Sequence, residues 1–410
     1  MKQTRLTMLL LAMVTCTVFS CKKERQNLAD ANTGSEQTSN AIAARGGKAS
    51  YPSYNTSPLP PDASGMTSNA LQLHAQLGMG VNIGNTLEAI GGETNWGNPK
   101  ITQAFVNTLK QNGFKSVRIP CSWDQYANQR TAQIQAAWLD RVKEVVQYCV
   151  NADMYVILNI HWDGGWLDAH VNSRDQASVN AKQKAFWEQI ATKMRDFDEH
   201  VMFAGTNEPP TEDAAQMSIL LSYHQTFINA VRSTGGRNTY RVLVVQAPYT
   251  DIDRADALMH TLPTDPTPNR MMLEVHYYSP YNFCLMNENQ SWGNMFYYWG
   301  ANNHSTIEPA HNATWGEEDY VVAEFQKMKT KFFNNGIPLI LGEYGAWRRS
   351  TPLDMEKHQA SVDYWAFYVT QQAIAHGLRP FWWDTGAIIN RSTNTVQDQR
   401  TITALMQGAQ

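Results

Sequence analysis

Between residues 79 and 384 one pattern recurs eight times: a short apolar, β-branched run, then a longer stretch with helical spacing of its apolar positions. The runs span 79–83, 116–119, 155–160, 201–205, 242–246, 271–275, 338–341 and 379–383. In the stretch 101–111, Ile101, Phe105 and Leu109 share one helical face at i, i+4 and i+8, and 181–197 reads the same way. Helix-sized spacers between strands buried on both faces require parallel strands with crossover helices. Eight such units predict an α/β protein, a (β/α)8 barrel in a single catalytic domain spanning 70–410. An open doubly wound sheet is the structural alternative.

The barrel expectation carries a test within the sequence, because barrel sites are built just after the strand C-termini. Polar and aromatic residues do collect there. Asn85 and Glu88 follow the first run, Arg118 lies in the second, and His161 and Trp162 follow the third. Asn207 and Glu208 follow the fourth, His276 and Tyr278 the sixth, Glu343 the seventh, and Trp383 and Asp384 close the eighth. Glu208 and Glu343 each end an apolar run, on strands that face each other across a barrel mouth. Two carboxyl groups so placed suit glycosidic bond hydrolysis, which needs a proton for the leaving oxygen and stabilisation of an oxocarbenium ion. A separation of about 5 Å fits a retaining mechanism, with Glu343 as nucleophile and Glu208 as acid and base. Arg118 is the cation expected to keep Glu343 ionised, with Glu208 protonated beside that anion.

The chain start reads differently. Lys2 and Arg5 precede an apolar stretch from Met8 to Phe19, the length of a signal-peptide core and too short to span a bilayer. Val18-Phe19-Ser20-Cys21 resembles a bacterial lipobox, so residues 1–21 are expected to be a lipoprotein-type leader with Cys21 lipidated. An ordinary cleaved leader, with secretion, is the alternative. Residues 22–69 are rich in Ser, Asn, Ala, Thr, Gly and Pro and are read as a flexible linker. The expected location is the bacterial cell envelope, on the outer membrane through that anchor, as a monomer.

Composition adds two points. With 33 Lys+Arg against 37 Asp+Glu there is no basic block for nucleic acid. The 13 Trp and 17 Tyr supply flat faces of the kind that pack against sugar rings. Cys121, Cys149 and Cys284 have no disulfide or zinc spacing and read as buried apolar residues. No metal and no cofactor is expected.

The ordered series of segments from Leu77 to Asp384 resembles glycoside hydrolase family 5, particularly its endoglucanase and xyloglucanase branches. The segments are Gly-Val-Asn-Ile-Gly-Asn-Thr-Leu-Glu at 80–88, Trp-Gly-Asn-Pro at 96–99, Val-Arg-Ile-Pro at 117–120 and Ile-Leu-Asn-Ile-His at 157–161. Asn-Glu-Pro at 207–209, Val-His-Tyr-Tyr at 275–278, Gly-Glu-Tyr-Gly at 342–345 and Trp-Trp-Asp at 382–384 complete it. The resemblance implies that Glu208 is the acid/base and Glu343 the nucleophile, with Asn207 bonding the sugar 2-hydroxyl. It implies that Arg118 and Tyr278 hold the nucleophile, that His161 and His276 line the cleaved subsite, and that Trp383 lies under that sugar. Asn85 and Glu88 match positions that bond a more distant sugar.

Two positions depart from the family pattern. Trp162 stands where many relatives have histidine, offering a stacking surface or a narrower cleft, and Thr385 stands where many have asparagine. The aromatic-rich stretch 280–315 is expected to wall the leaving-group side, against the alternative of a self-packed satellite core. The expected activity is that of a retaining endo-β-1,4-glycanase on a β-linked polysaccharide such as cellulose, mixed-linkage glucan or xyloglucan. The alternatives are a β-mannanase of the same family and a non-catalytic carbohydrate-binding lipoprotein.

Overall fold

The computed structural model describes residues 50–410. The leader, Cys21 and residues 22–49 lie outside them. Eight parallel strands close into one barrel: β1 Gly80–Ile83, β2 Ser116–Ile119, β3 Tyr155–Asn159, β4 Val201–Ala204, β5 Leu243–Gln246, β6 Met271–Tyr277, β7 Leu339–Tyr344 and β8 Leu378–Asp384. They pair in chain order, and β8 closes on β1 with Phe381 opposite Gly80. The eight-unit barrel reading is therefore correct, and the open doubly wound sheet is not what forms.

Helices α1 Gln103–Gln111, α2 Ala136–Asn151, α3 Gln176–Lys193, α4 Ala214–Ser233, α5 Ile252–Leu258, α6 Glu318–Lys331, α7 Met355–Ala375 and α8 Gln399–Gly408 surround it. Short polar side chains start several of them by capping free backbone amides. Thr102 accepts from the Phe105 amide at 3.2 Å, Asp213 from Gln216 at 2.9 Å and Asp398 from Thr401 at 3.0 Å. On α1 the buried face is Phe105, Val106 and Leu109.

Strand alternation divides the core in two. Outward residues such as Val81, Val117, Val156 and Leu341 join the helices in one cluster. Inward residues Ile157, Met202, Val244, Met272, Ile340 and Phe381 fill the barrel, and a short helix, Ala70–Gln76, closes its floor with Ala70, Leu73 and Leu77. Each such side chain contributes roughly 1.5–3 kcal/mol by leaving water. One layer nearer the mouth the inward positions turn polar: Asn82, Arg118, Gln246 and Glu274 are all buried.

Residues 50–69 correct the linker boundary. The Tyr54 amide donates to Glu188 at 2.7 Å and the Tyr54 hydroxyl to the Thr131 carbonyl at 2.7 Å. Leu59–Pro61 pairs with Gly235–Gly236, Met66 is buried, and Ser68 bonds Glu199. A segment too polar to fold alone is held here by partners that the barrel provides. The three cysteines are free and buried, as expected. Among the described residues no helix is long and apolar enough to cross a membrane.

Most of the stretch 280–315 packs down instead of standing up as a cleft wall. Phe283, Phe296, Tyr297, Tyr298 and Trp299 are buried, with Trp299 against Tyr364 and Tyr368 of α7. Trp292 and Trp315 are the large aromatics of this stretch that stay exposed. A self-packed satellite core does not form either: Phe283, Phe296 and Trp299 join the main hydrophobic core, where Trp299 covers α7.

Candidate active site

A β-bulge aims Glu343. Val275 faces Leu341 across the β6–β7 pairing while His276 faces Glu343, so Gly342 is an extra residue, and the β7–β8 register slips at the same place. Without the bulge Glu343 would follow the strand alternation and point into the helix layer. Gly342 is also the only residue type that fits, since a Cβ there would lie 1.9 Å from the Glu274 carboxylate.

Arg118, rising from the second strand, organises what surrounds Glu343. Its Nη1 donates to Glu343 Oε1 at 2.9 Å and to Asn82 Oδ1 at 3.0 Å, its Nη2 donates to Asn207 Oδ1 at 2.9 Å, and its Nε pairs with Glu274 Oε1 at 2.8 Å. Tyr278 donates its hydroxyl to Glu343 Oε2 at 3.1 Å. Burial pushes the Glu343 carboxyl upward and Glu208 adds to that, while His276 and Arg118 pull it down; the net direction is up. Arg118 therefore does not by itself set a low pKa, as the sequence argument assumed, because burial of the carboxylate is the larger influence.

His276 joins the two mouth carboxylates. Nδ1 lies 2.8 Å from Glu208 Oε1 and 3.7 Å from Glu343 Oε2, and Nε2 lies 3.2 Å from Glu274 Oε1. Burial works against an imidazolium, but Glu343, Glu208 and Glu274 overcome it and raise the His276 pKa to about 9. One polar atom from each of Glu208, His276 and Glu343 falls within 4.8 Å of the others. This is the sole grouping of metal-binding size found among the described residues. Both ring nitrogens of His276 face carboxylate oxygens, at 2.8 and 3.2 Å. Two carboxyl groups this close, one with a side chain 8% exposed and the other 22%, can perform double displacement at a carbon placed between them.

The remaining candidates separate into two groups. His161 is buried beside the mouth, stacked on Trp383 with ring centroids 5.7 Å apart and planes 9° from parallel. Burial and the Arg118 charge push its pKa well below the usual imidazole value, so the ring is neutral. Trp383 lies flat over Gly84, where a Cβ would meet the indole at 2.8 Å. Trp382 points the other way, against Tyr344 and Trp365 in the core. Trp162 is half exposed at the end of β3. Glu88 is elsewhere than expected: it is buried beneath the turn after β1, accepting from the amides of Asn85 and Thr86. Its carboxyl caps that turn, and burial raises its pKa to about 7. Asn85, at a positive φ of 58° and half-buried, remains at the surface of the turn.

Three functional neighbours escaped the sequence reading. Asn82 donates Nδ2 to the Gly342 carbonyl at 2.8 Å and so holds the bulge. Glu274 carries the charge that balances Arg118, with Gln246 donating to its other oxygen at 2.7 Å. Asp168 sits next to Glu208 in the loop after β3. A signal existed for Glu274: a charged residue in the middle of Met-Met-Leu-Glu-Val-His, on the same strand face as His276, requires a buried partner.

Comparison with known proteins bears on the same region. A family model described as cellulase (glycosyl hydrolase family 5) matches residues 81–387. The xyloglucan-specific endo-beta-1,4-glucanase BoGH5A of Bacteroides ovatus is 36% identical over 382 residues, covering 88% of this chain and 74% of that protein. Endoglucanase A of Paenibacillus barcinonensis is 34% identical over 394 residues, 88% of this chain and 95% of that one. Among solved structures, the Bacteroides ovatus GH5 xyloglucanase in complex with a XXXG heptasaccharide superposes with a TM-score of 0.80 at 35% identity, covering 88% of this chain and 80% of the other. XEG5B, a GH5 xyloglucan-specific beta-1,4-glucanase from a ruminal metagenomic library, gives 0.78 at 38% identity over 83% and 96%. A GH5-4 broad specificity endoglucanase from Bacteroides salanitronis gives 0.74 at 33% over 83% and 94%. With a barrel closed around two facing glutamates and three quarters of its length matched by one family model, the chain belongs to glycosyl hydrolase family 5.

Proposed function

We propose that this enzyme is a retaining endo-β-1,4-glucanase acting on β-glucan backbones, with Glu343 as nucleophile and Glu208 as general acid and base. The observation that carries the reading is the approach of the two carboxyl groups to within 4.8 Å across the mouth. Inverting enzymes need a wider gap, about 6.5–9.5 Å, to admit water between sugar and base. The unequal roles follow from the donors. A guanidinium and a phenol hydroxyl converge on Glu343, an arrangement that favours its anion, whereas Glu208 shares His276 with it.

Counting charge adds that one of the two is protonated. Arg118 and His276 contribute two positive charges and Glu274 one negative, so the buried cluster is neutral when a single mouth carboxyl is ionised. The donors on Glu343 assign the remaining proton to Glu208. In the first step Glu343 attacks the anomeric carbon as Glu208 protonates the leaving oxygen; in the second Glu208 takes a proton from water, which displaces Glu343. Asn207, fixed by Arg118, would bond the sugar 2-hydroxyl, and Trp383 would lie under the ring. His161, stacked on Trp383, would keep that indole flat.

Among β-glucans we propose xyloglucan as a substrate, since two of the structural relatives at 35% and 38% identity are xyloglucanases. The exposed face of Trp162, just after β3 at the mouth end of the barrel, offers a platform for a broad, branched chain. Proton NMR of a short digest tests the mechanism: the new reducing ends should appear first as the β-anomer, and an initial α-anomer would exclude double displacement. Product profiles on xyloglucan, barley β-glucan, carboxymethylcellulose and mannan test the substrate, and mannan as the best of the four would overturn it. Envelope anchoring through Cys21 rests on the lipobox-like sequence; Cys21→Ala should move the protein from the membrane to the soluble fraction, and an unchanged distribution would refute it.

A further inference from the structure

Next to Glu208 lies a carboxyl group that the double-displacement scheme does not use. Asp168 belongs to a single helical turn, Asp168–His170, in the loop after β3, and is 6% exposed. Its carboxyl accepts from the backbone amide of Glu208, and from the Thr206 hydroxyl at 3.4 Å. It thus grips the segment Thr206-Asn207-Glu208 at both ends, the segment that carries the acid/base and the 2-hydroxyl ligand of the proposed mechanism.

The loop that presents Asp168 is itself pinned. Asp163 accepts from the Ser122 hydroxyl at 2.6 Å, the Trp123 amide at 2.8 Å and the Trp166 indole at 2.8 Å. Tyr223 of α4 donates its hydroxyl to the His170 carbonyl at 2.8 Å. From the other side the Thr206 amide donates to Gln246 at 3.0 Å, and Gln246 donates to Glu274, which meets both Arg118 and His276. Asp168 therefore completes a ring of contacts that passes around the catalytic pair and returns to it.

Holding one backbone amide and one hydroxyl does not require an acid, and burying one here is costly. Among the main influences on Asp168 no cation appears; burial, Glu208 and Asp163 raise its pKa to about 8. A group kept despite that cost, against the amide of the acid/base, is placed for more than filling space.

We propose that Asp168 is a positioning residue for the acid/base, fixing the direction of the Glu208 side chain through its backbone amide and through Thr206. The inference rests on Glu208 acting as proton donor, so the experiment carries a control for that premise. The probes are xyloglucan, whose leaving group is a sugar alkoxide that must be protonated, and 2,4-dinitrophenyl β-cellobioside, whose leaving group needs no proton. kcat/KM, which reports the glycosylation step, is measured for wild type, Asp168→Ala, Asp168→Asn and the control Glu208→Ala, with azide added in a second series.

Asp168→Ala should lose tenfold or more on xyloglucan and no more than about threefold on the aryl glycoside, with azide raising its kcat on the latter, because azide needs no base. Asp168→Asn, which keeps an acceptor of the same shape, should recover most of the xyloglucan loss. An equal loss on both substrates, or no recovery by Asn, would overturn the positioning role and leave a merely structural one. Failure of the control Glu208→Ala to show the leaving-group split would remove the premise instead. If Asp168→Ala does not fold, Asp168→Asn against Asp168→Leu on the same two substrates makes the same discrimination.

Discussion

Replacing Glu274 with glutamine removes one negative charge from the buried cluster while keeping its volume and one acceptor. Glu274 has a fully buried side chain, pairs with Arg118 at 2.8 Å, and touches His276 at 3.2 Å. Its pKa is held low: burial opposes ionisation, but Arg118 and His276 prevail. Two consequences can be sized. Breaking a buried ion pair by neutralising one partner costs about 3–5 kcal/mol, so Glu274→Gln should lower Tm by several degrees. The second reaches Glu208 through His276, whose ring has Glu274 on one nitrogen and Glu208 on the other, 3.2 and 2.8 Å away. Adding the ring itself, the two carboxylates lie about 8 Å apart, where a unit charge at an effective dielectric near 20 is worth about 2 kcal/mol, or roughly 1.5 pH units.

The sign is set by the removed charge. An anion nearby makes Glu208 harder to ionise, so without it Glu208 gives up its proton at lower pH. The alkaline limb of kcat/KM, which reports the acid in the free enzyme, should therefore move down by about one pH unit or more. The assay is the pH profile of reducing-end release from a soluble β-glucan, with Tm recorded in the same buffers. A limb that stays in place, or moves up, in a folded Glu274→Gln protein would refute the account of the cluster as one electrostatic unit.

Glu343→Gln should abolish hydrolysis while oligosaccharide binding by calorimetry persists; residual turnover above about one part in a thousand would be inconsistent with a nucleophile. Gly342→Ala places a methyl against the Glu274 carboxylate and should cost about 1–3 kcal/mol, with at least a tenfold fall in kcat as the bulge shifts; wild-type kinetics and Tm would show that the bulge tolerates the methyl. His276 has a folded pKa raised from 6.5 to about 9, so its contribution is fully present below about 6.5 and is lost as pH rises through 9. Wild type should accordingly lose up to about 3 kcal/mol across that window, measured by urea unfolding, and His276→Asn should show a flatter dependence. Parallel curves for the two proteins would contradict the charged imidazole.

The sequence revealed most where spacing alone carried the information. Eight apolar runs with helix-sized spacers were enough for a parallel α/β sheet, and the polar residues gathered at the run ends pointed to the closed barrel over the doubly wound alternative. Glu208, Glu343, Arg118, His276 and Tyr278 were legible as strand-end residues, and the structure brings all five together. Asn82 and Glu274 were not, because both sit inside apolar runs read as strand interior and Asn82 carries no charge to draw notice. Glu88 was misplaced for a related reason: a strand-end carboxylate can face the cleft or fold back on its own turn, and only the backbone decides. The docking of residues 50–69 depends on Glu188, Thr131 and Glu199, which are more than sixty positions away, and a polar segment gives no periodicity from which to infer such partners.

The position of His276 has a bearing on turnover as a whole. In the proposed double displacement Glu208 becomes an anion as Glu343 becomes a neutral ester, so the pocket's total charge is the same before and after each half-reaction. What changes is the address of the negative charge, which moves from one wall of the mouth to the other. An imidazolium 2.8 Å from one carboxylate and 3.7 Å from the other faces that charge at both addresses. The site thus needs no counter-ion to enter or leave during a catalytic cycle, and its surroundings have little to rearrange. For a cleft occupied by a long polymer, where small ions would have to pass the bound chain, such self-contained neutrality removes one source of delay.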